Sequence, residues 1–287
     1  MISSKTKLFA IIGDPVERSL SPAMHNAAFR ALGLDCRYIA IQVPKGTLAD
    51  VVKAMRKLRI TGFNVTHPHK VEIVRLLDRL DESAKLVGAV NTVKTERGKL
   101  IGYNTDGAGA VRALEREVGK LAGRRVVLLG AGGAARAIAF SLVKAGAKLT
   151  LANRTASKAR RLAAEIKRKL GVEVAVVSIK KRALTEAIKR ADLLINATTI
   201  GMAPKVNETL VTADMMHRRL VVNDIVYEPL QTKLLREAKC AGAKTVNGLG
   251  MLVNQGALAL EIWTWKRAPA KVMEAAAKRE LQRRYIR

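Results

Sequence analysis

The feature that most constrains the fold is a series of short apolar segments in the second half of the chain, separated by longer amphipathic stretches. They are 125–130 (RVVLLG), 148–152 (KLTLA), 172–177 (VEVAVV), 192–196 (DLLIN) and 220–226 (LVVNDIV). Strands that are apolar on both faces need cover on both faces, and the intervening helices supply it. The pattern therefore predicts an α/β fold with a parallel, doubly wound sheet. The first half also alternates. Strands are expected at 8–12, 37–43 and 62–65. One helix is expected over 22–32, with Ser21 as its N-cap and Pro22 at its first position, and another from the Thr47 cap to 58. His67-Pro68 is expected to open a further helix. Segments 89–93 and 100–104, joined by KTERGK, read as a β-hairpin with Gly98 at the turn. A helix follows Asp106 to about 118, and 248–287 reads as two helices, the second starting at Pro269. Domain boundaries fall near Asp106 and Val246. Periodicity does not decide which domain the tail helices join.

Composition removes several alternatives. The chain has 287 residues, 49% of them hydrophobic, which excludes a disordered chain or a small disulfide scaffold. The longest uncharged stretch, 245–260, contains Asn247, Asn254, Gln255 and three glycines. It falls short of the ~20 apolar residues of a membrane span, so no membrane partner is expected. Cys36 and Cys240 stand in no metal-ligand spacing, so no metal is expected, and two unpaired thiols suit the cytoplasm. Lys and Arg number 52 against 24 Asp and Glu, a net charge of +28. Only 3% of residues are aromatic, too few for a base-stacking surface, and no nucleic-acid-binding motif accompanies the charge. The eight basic residues from Lys266 to Arg287 are therefore expected on the solvent face of terminal helices rather than on a specific nucleic acid.

Gly130-Ala131-Gly132-Gly133-Ala134-Ala135 follows the strand 125–129 and opens a helix, the context in which G-x-G-x-x-A binds a dinucleotide. Gly130 makes the tight turn. Gly132 lets N–H groups approach a pyrophosphate, and the helix N-terminus adds partial positive charge. The next strand ends in Asn153-Arg154-Thr155, and no acid occurs between Gly130 and Glu165. The carboxylate with which an NAD site holds the ribose 2′-OH is thus missing. Arg154 and Lys158 instead suit a 2′-phosphate, so the expected cofactor is NADP(H). Asn196-Ala197-Thr198 lies at the carboxyl end of the fourth strand, and Thr198 and Met202 are candidates for the nicotinamide side.

Three segments in the first half carry more polar chemistry than structure alone requires: Ser19-Leu20-Ser21-Pro22, Asn64-Val65-Thr66-His67-Pro68-His69-Lys70, and Asn104-Thr105-Asp106-Gly107 with Asn91 nearby. Hydroxyls, amides, one Lys and one Asp at strand ends would suit a polyhydroxylated anionic small molecule, with Ser19 and Ser21 placed for a carboxylate. Ser21 and Asp106 as simple helix caps are the competing readings.

Together with Gly13-Asp14-Pro15, Gly88-Ala89-Val90-Asn91-Thr92, Asp224-Ile225-Val226-Tyr227 and Gly248-Leu249-Gly250-Met251-Leu252-Val253-Asn254-Gln255, these motifs occur in an order that resembles the shikimate dehydrogenases over essentially the whole length. The resemblance implies a two-domain enzyme that reversibly reduces 3-dehydroshikimate to shikimate with NADPH, a step toward chorismate and the aromatic amino acids. It implies a substrate domain over 1–106 completed by 247–287, a Rossmann-type NADP domain over 107–246, and an active site in the cleft between domains. Lys70 and Asp106 become the catalytic pair. Ser19, Ser21, Thr66, Asn91, Tyr227 and Gln255 become substrate contacts, while Ile225, Gly248 and Met251 fall beside the nicotinamide. Glu82 matches a family position near the cofactor but has no independent support. The alternative is a quinate-active relative with broader cofactor use. Oligomeric state is left open, a homodimer included.

The chemistry agrees with the pair. Hydride transfer to a ketone develops negative charge on oxygen, which a nearby Lys can stabilise and protonate while a carboxylate orients the amine. His67 stands where an aliphatic residue is usual in the family, and His69 immediately precedes Lys70. Both are expected to pack or face solvent. Thr199 replaces a frequent proline, which implies a looser loop over 198–204.

Overall fold

The alternation produces two six-stranded sheets, one in each of two compact units, residues 1–105 with 253–287 and residues 106–252. The computed structural model describes residues 2–285. The first unit runs β1 (Lys7–Gly13), α1 (Ser21–Ala31), β2 (Cys36–Gln42), α2 (Leu48–Lys57), β3 (Gly62–Val65), a 3-10 turn (Glu72–Leu76), β4 (Arg79–Leu80), α3 (Glu82–Val87), β5 (Thr92–Glu96) and β6 (Lys99–Tyr103). Its strand order is β2-β1-β3-β5-β6-β4. The first three strands are parallel, and β5 is antiparallel to both neighbours. Ala10, Ile12, Val43, Leu48, Val52, Phe63 and Val90 form the core beneath α2.

The second unit runs α4 (Asp106–Val118), β7 (Arg125–Leu129), α5 (Gly133–Lys144), β8 (Lys148–Ala152), α6 (Ala156–Leu170), β9 (Ala175–Val177), α7 (Lys181–Lys189), β10 (Leu193–Asn196), a 3-10 turn (Ala213–Met215), β11 (Val221–Asp224), α8 (Lys233–Cys240) and β12 (Lys244–Val246). All its strands are parallel, in the order β12-β11-β10-β7-β8-β9. The order reverses between β7 and β10, which opens a crevice beyond their carboxyl ends. Two helices follow, α9 (Leu249–Thr264) and α10 (Ala270–Tyr285). From Val253 onward they belong to the first unit. There the Trp263 indole N–H donates to Val93 O at 2.9 Å, and a Cβ at Gly62 would lie 2.5 Å from the indole nitrogen.

Several local expectations are corrected. Ser21 is not the cap of α1 but its first residue, and its N–H donates to Ser19 Oγ at 3.2 Å. Thr47 occupies the cap position of α2, yet its hydroxyl donates backward to Pro44 O at 2.9 Å and caps nothing. No α-helix starts at His67-Pro68. The His69 side chain turns inward, wholly buried, with Nε2 2.6 Å from Val43 O. The chain then reaches β4 through the 3-10 turn, whose steeper rise of about 2.0 Å per residue spans the gap. The hairpin strands lie at 92–96 and 99–103, because the turn is only Arg97-Gly98, with φ of 50° and 77°. A two-residue turn with both φ positive matches the strand twist and draws Lys94-Thr95-Glu96 into the ladder. The strand expected at 172–177 shortens to Ala175–Val177. Helix α3, not foreseen, had signals at both ends: Asp81 Oδ1 accepts from Ala84 N at 3.0 Å, and Gly88 closes it at φ 67°. Strands β4 and β12 were also missed.

Of the terminal basic residues, Lys266, Arg267, Lys271, Lys278, Arg279 and Arg283 are exposed, Arg284 is half-buried, and Arg287 lies outside the described residues. Among the described residues no helix is long and apolar enough to cross a membrane.

His25 of α1 is wholly buried. It stacks on Tyr38 with ring centroids 4.5 Å apart, lies beside Phe29 and Trp263, and among the described residues has no hydrogen-bond partner at either ring nitrogen. Burial without a partner pushes its pKa down to about 3. The unfolded histidine titrates near ~6.5, so below that pH the unfolded chain takes up a proton that the folded chain refuses. Stability should fall on acidification from that point by up to about 1.4 kcal/mol per pH unit. Urea midpoints at pH 7.5, 5.5 and 4.5 should drop less steeply in His25→Leu than in the parent. Identical slopes would contradict this account.

Candidate active site

Ser19, Ser21, Thr66, Lys70, Asn91 and Gln255 belong to the first unit; Asp106, Tyr227 and the cofactor candidates belong to the second. In the first unit the connections after β1 and β3 emerge side by side. Thr66 N donates to Ile12 O at 2.9 Å and Asp14 N to His67 O at 2.9 Å. A Cβ at Gly13 would sit 2.8 Å from His67 O, so only glycine permits this approach. Lys70 is half-buried, and its carbonyl accepts from Val90 N at 2.8 Å, next to Asn91.

Asn91 is 2% exposed, and its side chain is engaged inside the unit. Nδ2 donates to Thr105 Oγ1 at 2.9 Å and to Gln255 Oε1 at 3.3 Å, while Oδ1 accepts from Thr105 N at 2.8 Å. Asn64 extends the network, donating to Asn91 O at 3.0 Å and to Thr92 Oγ1 at 3.0 Å, and accepting from Tyr38 Oη at 2.7 Å. The Tyr38 hydroxyl, which is also hydrogen-bonded to Ser21, has its pKa pushed well up by burial. Thr66, Lys70, Asn91 and Gln255 thus gather at the carboxyl edge, and Tyr38 links Ser21 to them. Tyr38 was not foreseen; nothing in RYIAIQV marks a tyrosine whose hydroxyl is spoken for. His69 is packed as described above, and His67 is exposed.

In the second unit Asp106 is the first residue of α4 and is buried. The loop after β7 has the shape the motif requires. Gly130 has φ 116°, and a Cβ there would lie 2.8 Å from Ala197 O. Gly132, at the cap position of α5, has open space where its Cβ would be, and no side chain caps the helix. The N–H groups of the first turn, from Gly133 and Ala134 onward, therefore lack intrahelical partners and can serve an anion. Gly130 N donates to Ala152 O at 2.8 Å, which brings the end of β8 and its Asn153-Arg154-Thr155 beside this loop. Asn153 Nδ2 is bound to Thr155 O at 2.9 Å, whereas Arg154 and Lys158 are exposed. The residues present fit a dinucleotide with a phosphorylated ribose.

Beyond β10 and β11 the hydroxyl of Thr198 is used locally, donating to Asn196 Oδ1 at 2.7 Å and accepting from Ile200 N at 3.1 Å. Met202 is 44% exposed and Met251 is buried. A Cβ at Gly248 would lie 2.5 Å from the Ile225 carbonyl carbon, so this glycine lets the start of α9 close on the loop after β11. Tyr227 is half-buried. Asp224 ends β11 wholly buried, and burial pushes its carboxyl pKa up to about 6 against the pull of three hydrogen bonds. One of these comes from Thr232, a residue without any motif to announce it.

Three family models match the chain: the shikimate dehydrogenase substrate-binding domain over residues 11–93, shikimate/quinate 5-dehydrogenase over 112–227, and the shikimate 5′-dehydrogenase C-terminal domain over 248–278. The shikimate dehydrogenase (NADP(+)) of Methanopyrus kandleri is 49% identical, covering 98% of this chain and 98% of the relative. The chain belongs to the shikimate dehydrogenase family. A crystal structure of a shikimate dehydrogenase in complex with NADP+ superposes with a TM-score of 0.92 at 47% identity, over 98% of both chains. The Listeria monocytogenes shikimate 5-dehydrogenase in complex with shikimate and NAD gives 0.89 at 40% identity, over 96% of this chain and 97% of that one.

The two loop glycines of this shikimate dehydrogenase family member should separate by stability. Gly130→Ala should cost about 2–4 kcal/mol, from a forbidden φ and a clash with Ala197 O. Gly132→Ala should cost no more than about 1 kcal/mol. Chemical denaturation without ligand tests this, and equal losses would mean the contacts at Gly130 are slack.

Proposed function

We propose that this chain interconverts 3-dehydroshikimate and shikimate with NADPH and NADP+, supplying the route to chorismate and the aromatic amino acids. The observation that carries the reading is the gathering of Thr66, Lys70, Asn91 and Gln255 at one sheet edge in a member of this family. The substrate domain, expected over 1–106 and 247–287, binds the substrate, and the cofactor domain, expected over 107–246, binds NADP(H). When bound, NADPH supplies the hydride.

The chain's own residues do the rest. The Lys70 ammonium stabilises the negative charge that develops on the ketone oxygen and passes a proton to it; in the reverse direction the amine accepts the hydroxyl proton. Asp106 follows Thr105, which Asn91 holds at both its N–H and its hydroxyl. It is the carboxylate assigned to orienting Lys70 and a ring hydroxyl. Ser19 and Ser21 take the substrate carboxylate, and Thr66, Asn91, Tyr227 and Gln255 take its hydroxyls. The Gly130–Ala134 backbone would hold the pyrophosphate, Asn153, Arg154, Thr155 and Lys158 the adenosine 2′-phosphate, and Thr198, Met202, Ile225, Gly248 and Met251 the nicotinamide side. Arg154, with no acid beside it, favours NADP over NAD. A small molecule is the partner required; nucleic acid and membrane are not, and a homodimer is compatible. The cytoplasm suits the two free thiols, Cys36 and Cys240.

The deciding assay is NADP+ reduction with shikimate, set against quinate and against NAD+. Turnover with quinate alone would overturn the substrate assignment. Lys70→Ala should lower kcat by about 10²–10⁴-fold with a smaller change in shikimate KM; full turnover would remove Lys70 from the mechanism. Arg154→Gln should raise the KM for NADP+ by about tenfold or more and leave that for NAD+ nearly unchanged. A parallel rise in both would dismiss Arg154 as the reader of the 2′-phosphate.

A further inference from the structure

Asp224 is a carboxylate wholly buried at the end of β11 whose partners, among the described residues, include no cation. Its Oδ1 accepts from Asn196 Nδ2 at 2.9 Å and from Val226 N at 3.1 Å, and its Oδ2 accepts from Thr232 Oγ1 at 2.7 Å. Each partner leads to a different segment. Through Asn196, whose Nδ2 also donates to Ile200 O at 3.2 Å and whose Oδ1 takes both the N–H and the hydroxyl of Thr198, it reaches the loop after β10. Through Val226 it reaches the turn that carries Ile225 and Tyr227. Through Thr232, which also accepts from Leu235 N at 3.3 Å, it reaches the first turn of α8. Gly201, at φ 88°, stands in the first loop beside the same threonine, whose Cβ lies 3.7 Å from where a Cβ on the glycine would stand.

Three donors point at this group and it has nothing to donate to. Only an acceptor on both oxygens satisfies all of them; an amide would turn an NH₂ toward Asn196 or Thr232. A neutral pair would have served packing alone at lower desolvation cost. We propose that Asp224 is a positioning residue of this enzyme, clamping the loops after β10 and β11 so that Thr198, Met202, Ile225 and Tyr227 keep their places. This rests on the dehydrogenase reading above. The clamp acts at one end of the dinucleotide site. Among the described residues none of the clamp's hydrogen bonds goes to the glycine loop or to Arg154, on β7 and β8, although Gly130 packs against Ala197 and Thr198 of the clamped loop.

That asymmetry supplies the test. In the full-length protein, Asp224→Asn should lower kcat/KM for NADP+ with shikimate by about tenfold or more, the scale expected when contacting groups are misplaced. Binding of adenosine 2′,5′-bisphosphate, which probes only the glycine-loop and Arg154 end, should stay within about twofold. Thr232→Val should move in the same direction, and Thr232→Ser, which keeps the hydroxyl, should restore kcat/KM to within about twofold of the parent. If Asp224→Asn does not fold, the threonine pair decides. Unchanged kcat/KM in Asp224→Asn or Thr232→Val overturns the inference. So do an equal loss of bisphosphate binding and a Thr232→Ser variant as impaired as Thr232→Val. Absence of shikimate turnover in the parent protein overturns the dehydrogenase reading and this inference with it, whereas an active parent with an indifferent Asp224→Asn removes the inference alone.

Discussion

A strand covered on both faces has its backbone polar groups satisfied along its length, but the first residues beyond its carboxyl end must find partners elsewhere. This chain meets the requirement the same way in both units, by carrying the ladder one residue past the strand. Gly130 N reaches Ala152 O, Ala197 N reaches Leu129 O, and Ile225 N reaches Asn196 O, at 2.8, 2.9 and 3.0 Å. In the other sheet Val43 N reaches Gly13 O and Thr66 N reaches Ile12 O, both at 2.9 Å. Each loop is thereby hung on the neighbouring strand, and Thr66, Lys70, Arg154, Thr198 and Tyr227 sit within a few positions of those bonds. These loops take their support from the sheets.

Short amide and carboxylate side chains then tie the loops sideways. Asn64 and Asn91 do this at one edge, Asn196 and Asp224 at the other, and Asn223 Nδ2 joins β11 to Val246 O at 3.0 Å. Buried polar networks of this kind specify a unique arrangement when every member is satisfied and are costly when one is not. The engagement of Asn91 with Thr105 and Gln255 shows the trade involved. A side chain proposed to contact substrate is also part of the structure that holds its own sheet edge.

The charge is a property of the whole chain rather than of one unit. Each unit carries about twice as many basic as acidic residues. Exposed pairs such as Arg56–Asp78 at 2.8 Å and Lys85–Glu82 at 2.9 Å absorb some of the excess, each worth roughly 0–1 kcal/mol. Lys94 is an exception, buried on β5 between Glu96 at 3.0 Å and the Trp265 ring at 4.3 Å. The unpaired remainder creates a positive field that raises the local concentration of anionic ligands, an effect that salt screens.

The doubly wound sheet, the glycine turn, the missing acid after Asn153 and the paired terminal helices are legible in the sequence because they depend on residues adjacent in the chain: a period, a glycine at the right offset, a proline at a helix start. Failures cluster where a partner is distant. Thr47 and Ser21 are good caps by type, but the Thr47 hydroxyl turns back to Pro44 O, and Ser21 is the first residue of its helix rather than the residue before it. The expected helix at His67 is lost because Val43 O, 26 residues away in sequence, claims the His69 ring. Asp224 reads as an ordinary acid in a motif, and only the folded chain surrounds it with Asn196, Val226 and Thr232 and excludes water from it. Local spacing determined which elements form and which chemistry they carry. Tertiary structure decided which polar atoms are buried and to whom they bond, because desolvation and hydrogen-bond geometry depend on neighbours that the linear order does not place side by side.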